Sequence, residues 1–226
     1  MPITKTEFTL RNSRKLTSDV FELVFEPGTP VSSNPGEYVI FELAPGVKRA
    51  YSIAFRTDDG AFGFVVKRVE GGSGSPILCG LASGDKISGM GPMGHFTLRE
   101  GDVPRCFVGT GTGFAPLYCQ LLECARLGYS AHCAFAFGVR SAEDAFYGNE
   151  LSALSESLPN LRTLRYLSRE EAPGFEKGYV TDFLTEETVA AYREFYLCGS
   201  PSMVKDARAR LEVLGVPKSA IFFEQY

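Results

Sequence analysis

Three glycines at alternate positions, Gly109-Thr110-Gly111-Thr112-Gly113, stand between an apolar run ending at Phe107-Val108 and an amphipathic run that begins Phe114-Ala115-Pro116. Cys106 to Val108 reads as the end of a buried strand. Phe114, Leu117, Leu121, Leu122 and Ala125 then recur at helical spacing. A glycine turn from strand into helix aims unpaired backbone N–H groups and the positive end of a helix dipole at one point, which suits a phosphate or pyrophosphate. Side chains there would hold such a ligand away from the backbone. The turn misses the last position of G-x-G-x-x-G and lacks the Gly-Lys-Ser/Thr ending of a P-loop, so a tight turn without ligand is its alternative reading.

A second stretch has the same chemistry. Gly71-Gly72-Ser73-Gly74-Ser75-Pro76 precedes Ile77, Leu78 and Leu81, a short helix inside otherwise β territory. Pro76 fits the first helical turn and Ser75 the cap, which prepares another helix N-terminus for an anion.

Other chemistries are poorly supplied. The six cysteines, Cys79, Cys106, Cys119, Cys124, Cys133 and Cys198, form no C-x-x-C pair, and most lie in apolar runs. With only His95 and His132 beside them, neither a zinc site nor an iron–sulfur site is expected. The net charge of −4 and the absence of a Lys/Arg-rich stretch argue against nucleic acid. No signal-peptide core and no run of about 18 apolar residues is present, so a cytoplasmic protein without a membrane span is expected.

The elements that must position these turns follow from periodicity. Within 226 residues there is room for one large or two small domains. Up to about residue 100, the runs Phe8–Leu10, Val20–Phe25, Tyr38–Leu43, Tyr51–Phe55, Phe62–Val69, Lys86–Met90 and His95–Leu98 alternate or are β-branched between Gly/Pro/Asp turns. They predict an antiparallel barrel of about six strands. From about residue 104, strands at Cys106–Gly109, Ala131–Gly138, Leu161–Leu167, Phe195–Cys198 and Ala220–Glu224 alternate with helices at 113–127, 148–157, 182–193 and 201–214. That alternation predicts an α/β domain with a five-stranded parallel sheet, binding its ligand at the carboxyl ends where Gly109, Gly138 and Gly199 follow their strands. Arg99-Glu100-Gly101-Asp102-Val103-Pro104 reads as the link, giving domains 1–100 and 101–226.

Arg49-Ala50-Tyr51-Ser52 resembles the R-x-Y-[ST] flavin signature of the ferredoxin–NADP reductase family. The resemblance extends over nearly the whole chain. Pro35-Gly36-Glu37-Tyr38-Val39 is similar to the strand entry before that signature, and Gly72-Ser73-Gly74-Ser75 to the G-x-x-S pyrophosphate motif. Gly91-Pro92-Met93-Gly94-His95-Phe96 is similar to the G-P-x-G-x-F corner, Gly109–Pro116 to the nicotinamide pyrophosphate motif, and Cys198-Gly199-Ser200-Pro201-Ser202-Met203 to C-G-x-P-x-M.

The resemblance implies an FAD-binding barrel, FAD over FMN because a pyrophosphate site is present, and an NAD(P)-binding domain. It implies that Arg49 contacts phosphate, that Tyr51 packs on the flavin ring, that Ala50, Val66 and Lys67 line it, and that Gly72 to Ser75 hold the pyrophosphate. It implies a nicotinamide site at Gly109, Thr110, Gly111, Thr112, Gly113, Pro116, Cys198, Gly199 and Met203. Ser52, Cys198, Glu224 and the terminal Tyr226 form the implied hydride-transfer group, with Tyr226 covering the flavin as in plant-type members. Catalysis there is mostly positioning.

Coenzyme choice is open between NADPH and NADH. Ser168-Arg169, assisted by Arg140, resembles the pair that grips a 2′-phosphate, while Gly178-Tyr179 stands where many NADP-using relatives carry Gly-Arg. The implied activity passes hydride between NAD(P)H and flavin, and single electrons to or from ferredoxin, flavodoxin or another small carrier. An NADH-dependent reductase component of an oxygenase, or a flavin or ferric reductase, is an alternative. So is a non-catalytic flavin relay subunit or an α/β protein that binds another nucleotide.

Overall fold

In the computed structural model, which describes residues 4–225, the alternating runs of the N-terminal part close into an antiparallel barrel. Its strands are β1 (Thr4–Lys15), β2 (Val20–Pro27), β3 (Tyr38–Ala44), β4 (Val47–Arg56), β5 (Phe62–Lys67) and β6 (Lys86–Met93), in the spatial order β1-β2-β5-β4-β3-β6. Alternation decides which side chains enter the barrel: Val39, Phe41 and Leu43 of β3 are buried, and the residues between them are not. Phe41 is the centre of the packing, with ring centroids 5.2 Å from Phe8, 5.1 Å from Phe25 and 5.3 Å from Phe64. Each such ring contributes about 1.5–3 kcal/mol of burial.

Three local expectations change. His95–Leu98 is not a strand; it follows Gly94, whose φ of +137° turns the chain, and the Leu98 N–H donates to the Pro35 carbonyl at 3.3 Å outside any strand ladder. The strand begun at Phe62 ends at Lys67, leaving Val69 exposed. Ser75 is the first residue of α1 (Ser75–Cys79) and Gly74 its cap, because the Ser75 hydroxyl is drawn back to accept from the Val69 N–H at 2.9 Å.

The C-terminal part forms a sheet in the order β10-β9-β8-β7-β11-β12, every pairing parallel. Its strands are β7 (Arg105–Thr110), β8 (Cys133–Val139), β9 (Leu161–Leu167), β10 (Glu176–Lys177), β11 (Glu194–Gly199) and β12 (Ile221–Gln225). The five expected strands are present, and β10 is an addition: two exposed residues without an apolar pattern, paired with Tyr166 and Leu167. The helices are α2 (Phe114–Arg126), α3 (Gly148–Ser157), α4 (Glu186–Ala191) and α5 (Pro201–Val213). The helix expected at 182–193 is divided into a 3₁₀ turn at Val180–Phe183 and α4, since Thr185 caps α4 by accepting from the Thr188 N–H at 3.3 Å. By internal contacts the first unit runs to Leu98 and takes in Tyr118–Gln120, and the second comprises Arg99–Leu117 and continues from Leu121.

Candidate functional site

In the barrel unit, β4 and the turn before α1 bring two distant segments together. Arg49 Nη2 donates to Ser73 Oγ at 2.7 Å, and Nη1 to the Lys48 carbonyl at 2.8 Å, so the guanidinium is held at the glycine turn while remaining exposed. A Cβ built on Gly74 would lie 2.8 Å from Arg49 Cγ and 2.9 Å from Leu43 Cδ1. Glycine lets the turn close onto the arginine stem. An exposed guanidinium, a hydroxyl and a short helix start at one turn fit a phosphate group.

Tyr51 and Ser52 are half-buried on β4, opposite Val39 and Tyr38. Burial pushes the Tyr51 hydroxyl up to about 12, with Cys79 adding to the effect and Arg49 opposing it. The phenolate titration lost in Tyr51→Phe should therefore centre near pH 12, not at the ordinary value of about 10. Loss of a component at the ordinary value would show instead that the hydroxyl is solvated. Ala50 is exposed, and Val66 is buried in the barrel core. Lys67 reaches Asp19 at 2.8 Å, so its ammonium is already paired.

In the second unit the strand order reverses at β7: β8, β9 and β10 lie on one side, β11 and β12 on the other. Ligands of open α/β sheets bind at such a switch point, outside the carboxyl ends of the strands. The carboxyl end of β7 is Gly109-Thr110, and Gly109 pairs with Cys198, which pairs in turn with Glu224. Cys198 is fully buried and Glu224 partly exposed. Thr110 Oγ1 accepts from the Ser200 N–H at 3.2 Å, fastening the loop after β11 to the glycine turn. Thr112 is half-exposed beside Gly111, while Pro116 and Met203 are buried, Met203 within the core of the unit.

The glycines of the turn differ in purpose. A Cβ on Gly113 would meet the Cys198 carbonyl oxygen at 2.3 Å, whereas one on Gly111, at φ +55°, would meet nothing within 4 Å. Gly113 serves packing, and Gly111 leaves the surface open where a ligand's phosphates would approach the backbone.

Arg140, Ser168 and Arg169 also converge. The ladder continues past β8 and β9, with the Ser168 N–H donating to the Val139 carbonyl at 3.1 Å and the Arg169 N–H to the Arg140 carbonyl at 3.0 Å. Both arginines are exposed on the same sheet end. Tyr179 is 68% exposed, and the Gly178 N–H before it donates to the Leu167 carbonyl at 2.9 Å. Tyr226, expected over the flavin, lies outside the described residues. Among the described residues, no group of three His, Cys, Asp or Glu side chains could hold a metal ion, and no helix is long and apolar enough to cross a membrane.

Two residues with large roles escaped the sequence reading. Arg105, fully buried at the start of β7, pairs with Glu194 at 2.6 Å. Its signal was a lone charge opening an apolar run. Tyr147 adopts a left-handed backbone that its residue type does not announce.

Comparison with known proteins bears on both units. Residues 7–98 match the model of an oxidoreductase FAD-binding domain, and residues 107–209 that of an oxidoreductase NAD-binding domain. The chain is 38% identical to ferredoxin–NADP reductase B of Sorangium cellulosum, over 94% of each protein. It is 32% identical to the reductase component of propane 2-monooxygenase from Rhodococcus jostii, over 100% of this chain but 65% of that protein. The chain thus spans slightly less than two thirds of that relative's length. Among solved structures, a cytochrome P450 reductase of Amycolatopsis superposes with a TM-score of 0.92 at 26% identity, over 99% of this chain and 70% of that one.

Proposed function

Because the chain belongs to the ferredoxin–NADP reductase family, we propose that it moves reducing equivalents between NAD(P)H and a one-electron carrier by way of FAD, with residues 1–100 binding the flavin and 101–226 the nicotinamide coenzyme. Bound FAD supplies the conversion between a two-electron hydride and single electrons. The observation that carries the reading is the Arg49–Ser73 hydrogen bond, which joins the R-x-Y-S segment to the glycine turn and makes one anion-binding surface of two motifs. Arg49 and the backbone of Gly72–Ser75 hold the pyrophosphate, Tyr51 packs on the ring, and Ala50, Val66 and Lys67 line it through the strands that carry them. Gly109–Gly113, with Gly199, receives the coenzyme pyrophosphate; Pro116 and Met203 support that surface from the core.

Ser52 serves the flavin in the first unit, and Cys198 and Glu224 serve the nicotinamide in the second; Tyr226, which the family resemblance assigns to the flavin, lies outside the described residues. Cys198 shapes the pocket, while Glu224 and Ser52 manage the proton that accompanies hydride. Arg140 and Arg169 read the 2′-phosphate of NADPH. Arg169→Ala should raise the KM for NADPH about tenfold and leave that for NADH unchanged. Equal effects on both coenzymes would remove the arginine from phosphate recognition. The acceptor is a ferredoxin or flavodoxin in the cytoplasm, a compartment in which cysteines outside disulfides persist as thiols.

The test is anaerobic mixing of the flavin-loaded protein with NADPH or NADH, followed by flavin absorbance. Rapid bleaching supports the reading, and a yellow protein that neither coenzyme bleaches is a relay subunit instead. Arg49→Ala should weaken FAD retention about tenfold to hundredfold; unchanged retention would take the phosphate from this turn. A second reading, an NADH-dependent reductase component of an oxygenase, is favoured by Tyr179 in place of an arginine and by likeness to the propane monooxygenase reductase components. It predicts faster bleaching by NADH.

A further inference from the structure

Tyr147, with φ 58° and ψ 32°, is the only described residue other than glycine in the left-handed region. Gly148, which would adopt that conformation freely, is the next residue, so the strain is not where the chain could most easily take it. A left-handed backbone at a side-chain-bearing residue costs about 1–2 kcal/mol and persists only where its surroundings enforce it.

The surroundings are aromatic. Tyr147 is 4% exposed and its ring stands edge-on to Phe114, centroids 5.2 Å apart and planes at 82°. Phe146 also meets Phe114 edge-on, at 5.2 Å and 72°. Consecutive side chains of an extended segment point to opposite sides; the left-handed step at Tyr147 lets two consecutive rings clasp the same partner. Phe135 and Phe137 close the other sides of Phe114, at 5.6 and 5.1 Å.

Phe114 is the first residue of α2 and follows Gly113 directly, and Gly113 rests against the Cys198 carbonyl. The orientation of the Gly111–Gly113 turn, and of the N–H groups that open α2, therefore depends on where Phe114 is anchored. We propose that Tyr147 is a positioning residue for coenzyme binding, acting through Phe114 on the glycine turn. The proposal rests on the reading of that turn as the coenzyme pyrophosphate site.

The test uses the flavin-loaded full chain and measures the Kd of the oxidised coenzyme that the wild type binds more tightly, by calorimetry, with thermal unfolding in parallel. Tyr147→Leu removes the ring, and Tyr147→Asn removes it while tolerating the left-handed backbone, which keeps a folded variant available. Leu154→Ala is the control, a 2% exposed α3 residue whose truncation costs stability while leaving every ring around Phe114 in place. Both Tyr147 variants should bind about tenfold more weakly, Tyr147→Phe should restore binding to within about twofold, and Leu154→Ala should lose stability without weakening Kd. Unchanged Kd in the Tyr147 variants, or equal weakening in Leu154→Ala, overturns the proposal. Gly111→Ala separates the two levels. If it weakens binding and the Tyr147 variants do not, only the positioning role fails; if it has no effect on binding, the reading of the turn fails and the proposal with it.

Discussion

Gly113→Ala should destabilise the second unit by about 3 kcal/mol, while Gly111→Ala, two positions earlier, should cost only about 1 kcal/mol. Backbone conformation alone would predict the reverse. Gly113 sits at φ −58°, ψ −11°, which any residue adopts, whereas Gly111 sits at φ +55°. Space decides the larger effect: a Cβ at Gly113 would lie 2.3 Å from the Cys198 carbonyl oxygen and 2.5 Å from Gly199 Cα, backbone atoms of a central strand and its exit that cannot retreat without breaking sheet pairing. Urea unfolding of the two variants checks the order. A Gly113→Ala protein within about 1 kcal/mol of wild type would mean that β11 yields and that the turn is not locked against it.

Arg105→Met should cost about 3 kcal/mol, the lower end of the effect of breaking a buried ion pair, because the Glu194 carboxylate left behind is 19% exposed. Arg105 is fully buried, its Nε donates to Glu194 Oε2 at 2.6 Å, its Nη2 to the Arg99 carbonyl at 2.6 Å, and its guanidinium lies 4.9 Å from the centre of the Tyr129 ring. Tyr196 donates to the same Glu194 oxygen at 3.0 Å, so removing the cation strands a carboxylate in a cluster built for it. The double variant Arg105→Met, Glu194→Leu should regain most of the loss, because two apolar groups can replace a buried pair with little net cost. Denaturant unfolding of both single variants and the double variant, repeated at about 1 M salt to show that screening has little effect, measures the coupling. A double variant no more stable than Arg105→Met would assign the loss to packing.

The motifs were legible because the chemistry they carry is local. A glycine turn between an apolar strand and an amphipathic helix is read from about ten residues, and so is the switch of period near residue 104 that separates a barrel from a parallel sheet. Strand β10 was not legible, since two exposed residues have no periodicity and pair only because Tyr166 and Leu167 present a free edge to them. Ser75 reads as a cap by type, a serine before a proline, and only the folded turn supplies the Val69 N–H as a competing donor.

The sequence by itself determined the two fold classes, the order of the segments and the kinds of group at each, because burial pattern and turn chemistry act over short stretches of chain. Tertiary structure alone decided which of those groups meet. Arg49 reaches Ser73 across 24 residues, Arg105 reaches Glu194 across 89, and Cys198 stands between Gly109 and Glu224 by strand register. Such pairings depend on sheet order and on the anchoring of single residues such as Phe114, which long-range packing sets and no local pattern encodes.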